Sequence, residues 1–251
     1  MKERHKRICE ILEAQGSVTV EQLTKQLFAS EATVRRALKE MEQQGLLVRI
    51  WGGAVSVNKN DYDPPPFIRS ITNLRAKRQI ARKACGFVRD NISIFIPSGS
   101  TVAELTKLFI EFKNLTVITT GLDNINVLKN YPFIKLIVPG GELHEGYDFV
   151  GTVTNETIDR FSADLLLFSC SGITADGFTS KDALRLDIIK KMQKNSTKVV
   201  LLSDSSKVGK KYTYKGFGFE KIDHVIMEKM PSSQALINRL EKKLIVADRN
   251  L

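Results

Sequence analysis

Apolar residues recur at helical spacing through the N-terminal stretch, in three groups. Ile8, Ile11 and Leu12 share one face of a first helix. Val20, Leu23 and Leu27 form the stripe of a second, with Thr19 as its N-cap. Val34, Leu38 and Met41 form the stripe of a third, opened by Ser30 after a turn at Phe28 and Ala29 and closed by Gly45. The period then changes. LLVRI and AVSV read as strands on either side of Trp51-Gly52-Gly53, so a hairpin follows the third helix at once. That order of elements predicts a winged helix-turn-helix, a shape that sets one helix into a DNA major groove.

The third helix carries the chemistry that such a shape needs. Arg36 lies about 200° around the helix from Val34 and so points outward. Ala32, Arg35 and Lys39 share or flank that side. Small and hydroxyl residues at the helix start (Ser30, Ala32, Thr33) allow close approach to base edges. Two arginines one turn in can reach guanine O6 and N7, or phosphates. Arg49 and Trp51 stand by the wing tip, where the indole N–H can donate to a phosphate. The expected DNA-contacting set is Ser30, Ala32, Thr33, Arg35, Arg36, Lys39, Arg49 and Trp51. A small helical subdomain with a solvated basic face is the plain alternative. Paired arginines followed by a glycine-tipped hairpin favour DNA.

After the wing the chain reads NKNDYDPPP, and three consecutive prolines neither continue a helix nor lie inside a sheet. A basic helix is expected over 73–89, with Leu74, Ile80, Ala81, Ala84 and Val88 as its less polar positions. Beyond it the apolar runs ISIFI, LTVITT, KLIV, DLLLFS, KVVLLS and HVIM alternate with helical patterns, notably Asp182 to Gln193. This predicts a mostly parallel sheet covered on both faces. The expected organisation is an α/β chain with a winged helix-turn-helix over 1–57, a linker over 58–72 and an α/β domain over 73–251.

In such sheets ligands bind outside the carboxyl ends of the strands. Ser98-Gly99-Ser100-Thr101 follows the first strand and opens a helix, Gly140-Gly141 follows the third, Ser171-Gly172 the fourth, and Asp204-Ser205-Ser206-Lys207 the fifth. A strand–SGST–helix turn presents backbone N–H groups and hydroxyls to a phosphate. Lys207 adds a positive charge, and Asp204 can accept from sugar hydroxyls. Each segment alone is a common turn, but their shared placement argues for a phosphorylated small ligand held by Ser98, Gly99, Ser100, Thr101, Gly140, Gly141, Gly172, Asp204 and Lys207.

Composition adjusts this picture modestly. The 251 residues carry a formal charge of +10, which suits a polyanionic partner. Residues 1–60 hold 10 Lys and Arg against 7 Asp and Glu, a net of +3, whereas residues 61–90 hold 7 against 3, a net of +4. Charge density alone would therefore not locate a DNA-binding region. Cys9, Cys85 and Cys170 are isolated and the three histidines scattered, so neither a disulfide framework nor a metal centre is expected, and no cofactor. No leader pattern and no membrane-spanning run is visible, and a cytoplasmic location is expected.

The ordered segments SEATVRRALKEMEQQGLLVRIWGGA, IPSGSTVAEL, VPGGEL, SGITADGFT and SDSSKVG resemble DeoR-type bacterial transcriptional repressors over nearly the whole chain. The resemblance implies an effector domain similar to ribose phosphate isomerase. It implies a phosphorylated sugar or related metabolite as effector, double-stranded operator DNA as partner, assembly into dimers or higher homo-oligomers, and control of a sugar-utilisation operon without catalysis. Three positions depart from the family pattern: Ala37 replaces an aspartate, Trp51 a histidine before Gly-Gly-Ala, and Gly121 an asparagine. A sugar-phosphate isomerase using Asp204 and Lys207 as acid–base groups is the competing reading. A protein–protein module built on the winged helix is a third.

Overall fold

The computed structural model describes residues 3–44, 46–56 and 66–247, without the side chains of 13, 56 and 66–68. The expected helix stop at Gly45 and most of the proline-rich stretch lie outside the described residues. The chain divides into two compact units, 1–72 and 73–251.

The first unit holds the helices Glu3–Gln15, Val20–Leu27 and Glu31–Gln43, and the strands Ser17–Thr19, Leu47–Ile50 and Gly53–Ser56. Local chemistry sets where the second and third helices begin. The Thr19 hydroxyl accepts from the Gln22 N–H at 3.0 Å while the Gln22 side chain accepts from the Thr19 N–H at 2.8 Å, a complete capping box. Ser30 accepts from the Thr33 N–H at 3.3 Å. Ile8, Leu12, Leu23, Val34, Leu38 and Met41 meet in one core with Val18, Leu47 and Ala54. The strand Ser17–Thr19 was not expected. It pairs antiparallel with Gly53–Ser56, which pairs with Leu47–Ile50. Three residues are too few to display a period of two. At the hairpin tip Gly52 takes φ +81°, a conformation glycine adopts without steric cost. Its carbonyl accepts from the Val20 N–H at 2.7 Å, which ties the wing to the start of the second helix.

The stretch expected to be a linker is helical over Pro66–Ile71. A proline fits the first helical position, where the missing N–H would have no intrahelical partner anyway. The basic helix expected over 73–89 spans Leu74–Cys85, with Gly86 as its C-cap, and buries Lys77 along with Ile80, Ala81 and Ala84.

The second unit is built on a seven-stranded sheet. Its order is Leu244–Val246, His224–Met227, Ser196–Leu202, Ala163–Ser169, Ser93–Ile96, Leu115–Thr119, Ile134–Ile137. Every neighbouring pair is parallel. Alternate residues of the same strands feed two separate cores. Phe95, Leu166, Phe168, Leu201 and Val225 belong to one, and Ile94, Ile96, Leu165, Leu167, Val200 and Ile226 to the other. That is why these strands read as continuous apolar runs. Two small antiparallel sheets arise in the connections: Glu142–His144 with Asp148–Val150, and Gly172–Thr174 with Gly177–Ser180 and Tyr214–Lys215. Among the described residues no helix is long and apolar enough to cross a membrane.

Candidate nucleic-acid interface and ligand site

The third helix of the first unit buries Val34, Ala37, Leu38 and Met41 and leaves Ala32, Arg35, Arg36 and Lys39 exposed. Ala37 sits in the core, where an aspartate would be a buried charge. Arg35 instead takes a carboxylate from its own helix, Glu31, at 3.1 Å. Arg36 and Lys39 form no ion pair among the described residues, so their charges are available to a polyanion. Ser30 is exposed and caps the helix as expected, and Thr33 is half-buried. Their hydroxyls share a hydrogen bond of 2.9 Å, and the Ser30 oxygen also caps the helix.

Arg49 lies on the wing strand beside the helix. Its backbone N–H donates to Glu42 Oε1 at 3.1 Å, and its guanidinium stands 3.8 Å from Glu42 Oε2. Trp51 is 81% exposed. Between helix and wing runs a groove of about 470 Å³ lined by Arg35, Leu38, Glu42, Arg49, Trp51 and neighbouring backbone.

In the second unit several predicted ligand residues come together at the carboxyl ends of the central strands. Ser98, Gly99 and Ser100 are half-buried. Ser98 donates to the Asp148 carboxylate. Gly99 faces Ser169, and the Ser169 hydroxyl accepts from Lys207 Nζ at 2.9 Å. Lys207 in turn stands 3.8 Å from Asp204. Thr101 is fully buried, its hydroxyl without a hydrogen-bond partner, and so is set back from any open cleft.

Asp204 is set deeper than the turn and Lys207. It is buried, and Oδ1 accepts from Asn73 Nδ2 at 3.2 Å, from the Ser206 N–H at 3.1 Å and from the Ser206 hydroxyl. Burial alone would raise its pKa, but Lys207, the Ser206 bonds and Lys77 outweigh burial and hold it below the usual carboxylate range. Oδ1 thus organises the neighbouring residues, while Oδ2 stands 3.8 Å from Lys207 Nζ.

The predicted glycines divide. Gly172 belongs to a strand of a small sheet, where a side chain would collide with the Lys210 carbonyl. Gly141 takes φ +112° and packs on Thr154, whose hydroxyl donates to the Gly140 carbonyl at 2.7 Å. Packing thus accounts for Gly141 and Gly172 without a ligand, whereas Gly140, at φ +72°, has open space beside it. Gly121 is different. A Cβ there would lie 2.8 Å from Ser98 Cα and 3.2 Å from Asn124 Nδ2. The departure at 121 therefore lets the Ser98 turn approach closely, and an asparagine would push it away.

Four polar residues at this end of the sheet escaped sequence reading: Asp148, Arg185, Asn73 and Lys77. Asp148 is buried, and burial pushes its pKa up against the Ser98 and Thr120 hydroxyls and Arg185. Arg185 pairs with Glu145, stands 3.7 Å from Asp148 and 3.8 Å from Asp182, and lies 4.4 Å over the Tyr147 ring. Only Lys77 carried a signal, a charged residue at an i, i+3 spacing from Ile80 on the apolar face of its helix. The scattered histidines also need correction. The fold gathers His144, Glu145 and Asp182 with ligand atoms within 4.8 Å of one another, His144 bonding Asp182 at 2.6 Å. Arg185 already answers these carboxylates, so a cation there would meet its repulsion.

A winged helix whose outer face carries Arg36 and Lys39, unpaired among the described residues, followed by a parallel α/β unit, defines a class of two-part DNA-binding regulators. The comparisons with known proteins agree. The DeoR-like helix-turn-helix domain model matches residues 4–60, and the DeoR C terminal sensor domain model matches residues 72–229. The chain belongs to the DeoR family of transcriptional regulators. It is 30% identical over 90% of both chains to the HTH-type transcriptional regulator GolR of Listeria innocua. It is 29% identical over 91% of both to the glycerol-3-phosphate regulon repressor of Escherichia coli. It is 32% identical over 96% of both to the L-fucose operon activator of Haemophilus influenzae. Among solved structures, ribose 5-phosphate isomerase A from Methanocaldococcus jannaschii is similar at a TM-score of 0.41, with 18% identity and 56% of each chain covered. A likeness that low has no bearing on activity.

Proposed function

We propose that this protein is a repressor of a sugar-utilisation operon, released or tuned by a phosphorylated sugar, working as a homo-oligomer in the cytoplasm. The observation that carries the DNA half is the exposed, unpaired pair Arg36 and Lys39 on a helix whose opposite face is wholly buried. In this reading Arg36 reads a base edge, Lys39 and Arg35 meet phosphates, and Arg49 and Trp51 follow the backbone from the wing. The effector half rests on the half-buried turn Ser98-Gly99-Ser100 and on Lys207, with Gly99 and Lys207 both beside Ser169. Lys207 supplies the charge a phosphate needs, and Asp204 positions Lys207. Relatives of similar length include a regulon repressor for glycerol 3-phosphate and an operon activator for L-fucose, which supports a sugar-derived signal.

Catalysis is not part of this reading. Asp204 and Lys207, the acid–base pair an isomerase would use, are tied to Asn73, Ser206 and Ser169. Purified protein is expected to give no aldose–ketose turnover. The testing experiment is a thermal-shift screen of phosphorylated sugars, repeated with DNA binding as the readout. A true effector at 100 times its Kd should stabilise the fold by about 2.7 kcal/mol. If no phosphorylated sugar shifts melting or DNA affinity, the effector half fails.

A further inference from the structure

The groove between the third helix and the wing is lined on one wall by a carboxylate, which a surface built only to attract DNA would not carry. Glu42 stands on the last turn of the helix, half-exposed, and holds Arg49 at two points. One oxygen accepts the Arg49 backbone N–H at 3.1 Å, and the other lies 3.8 Å from the Arg49 guanidinium. We infer that Glu42 is a positioning residue with two separable duties: its oxygen fixes the wing strand against the recognition helix, and its negative charge holds Arg49 over the groove and limits sequence-independent binding. This rests on the reading that helix and wing together grip DNA.

The two duties follow from two kinds of contact. The backbone bond crosses seven residues of chain, from the helix to the first strand of the hairpin, and involves no part of the Arg49 side chain. It therefore sets where the strand lies, and with it Arg49 and Trp51, whatever the guanidinium does. The guanidinium pair is open to water on both sides, so a phosphate can take Arg49 from Glu42. When that happens the carboxylate is left facing a polyanion and must recruit a cation from solution. Cation uptake offsets part of the counterion release that drives sequence-independent binding. Arg36 and Lys39 carry no such brake among the described residues. Arg35 resembles Arg49, paired with Glu31 at 3.1 Å, but among the described residues Glu31 has no hydrogen bond to backbone across the groove. Among the described residues, Glu42 alone joins charge control to wing register.

Two variants of the full chain separate the duties. Glu42→Gln keeps an oxygen that can accept the Arg49 N–H and removes the charge. Glu42→Ala removes both. Each is measured against a random-sequence duplex and against the duplex that the wild-type chain selects from a random pool, from 50 to 200 mM salt. Glu42→Gln is expected to bind random duplex several-fold more tightly at low salt. Its slope of log affinity on log salt should steepen by about 0.9, the value of one further phosphate contact. Its affinity for the selected duplex should not fall. Glu42→Ala is expected to show the same rise on random duplex and a roughly tenfold loss on the selected one, as the wing leaves its register. Arg49→Ala serves as the control and should flatten the salt slope of the wild type by about 0.9. If Arg49→Ala changes nothing, the wing does not touch DNA and the underlying reading fails. If Arg49→Ala behaves as expected but Glu42→Gln keeps the wild-type slope, the charge role is wrong. If Glu42→Ala matches Glu42→Gln on the selected duplex, the register role is wrong. Circular dichroism melts show whether either variant has lost its fold.

Discussion

Arg36 and Asp204 show how much one side chain can decide in each unit. Arg36 projects from a helix whose other face is fixed in a core, so its position is set before DNA arrives. Arg36→Ala is expected to weaken binding to the selected duplex by about 1–3 kcal/mol and to relax discrimination at one base pair, in a competition assay with single-base variants. Uniform weakening across all variants would make it a phosphate contact instead. Asp204 is a buried carboxylate with cations near it, and its depressed pKa makes stability depend on pH with a defined sign. Its contribution is present above the ordinary carboxylate range and is lost as pH falls through the lower folded value. Asp204→Asn should therefore cost about 3 kcal/mol at neutral pH, because it removes the carboxylate that stands 3.8 Å from the Lys207 ammonium. The gap between the melting curves of wild type and variant should begin to narrow once pH falls below the ordinary aspartate range, about 4. A gap that stays constant from pH 7 to 3 would show that the charge of Asp204 is not what stabilises the site.

At the scale of elements, Asn73 connects the ligand cluster to the rest of the chain. It is the first residue of the second unit and the N-cap of Leu74–Cys85, held at φ +53°. Its side chain donates to Asp204 Oδ1 at 3.2 Å and to the Ser206 hydroxyl at 3.0 Å, so in the proposed reading a ligand that moves Lys207 and Asp204 also pulls on Asn73. Asn73→Ala is expected to keep binding of both DNA and sugar phosphate while reducing the effect of one on the other, read from duplex affinity with and without ligand. Full coupling in that variant would place the relay elsewhere. The same contact shows what the sequence conceals. The helices of the first unit were legible because caps and apolar stripes are local, as Thr19 with Gln22 and Val34 with Leu38 illustrate. The inner strands were legible because burial on both faces leaves unbroken apolar runs. The edge strand Leu244–Val246 was missed because three residues at a sheet edge carry no such run. Ser98 meets Asp148 across 50 residues and Asn73 meets Asp204 across 131, and no periodicity encodes either meeting. The SGST turn and Lys207 could be picked out by residue type, whereas the groups that position them could not.

At the scale of the whole molecule, the proposed regulator must make two binding events depend on one another. Two half-sites on DNA lie about 34–36 Å apart, or a multiple of that, so an oligomer that changes the spacing of its recognition helices changes its affinity without covering the DNA surface. Trp51, the only tryptophan, reports which event has occurred. It is exposed at the wing, so its emission should shift or quench on adding the selected duplex and change much less on adding a sugar phosphate alone. An unchanged spectrum at saturating duplex would keep Trp51 out of the interface. Thermodynamic linkage then supplies the most direct test of the account. The affinity of the full chain for its stabilising sugar phosphate is measured by calorimetry, first free and then saturated with the selected duplex. The account predicts that the duplex changes this affinity by the same factor, about 5–150-fold, by which the sugar phosphate changes affinity for the duplex. Equal sugar-phosphate affinity with and without duplex would contradict it.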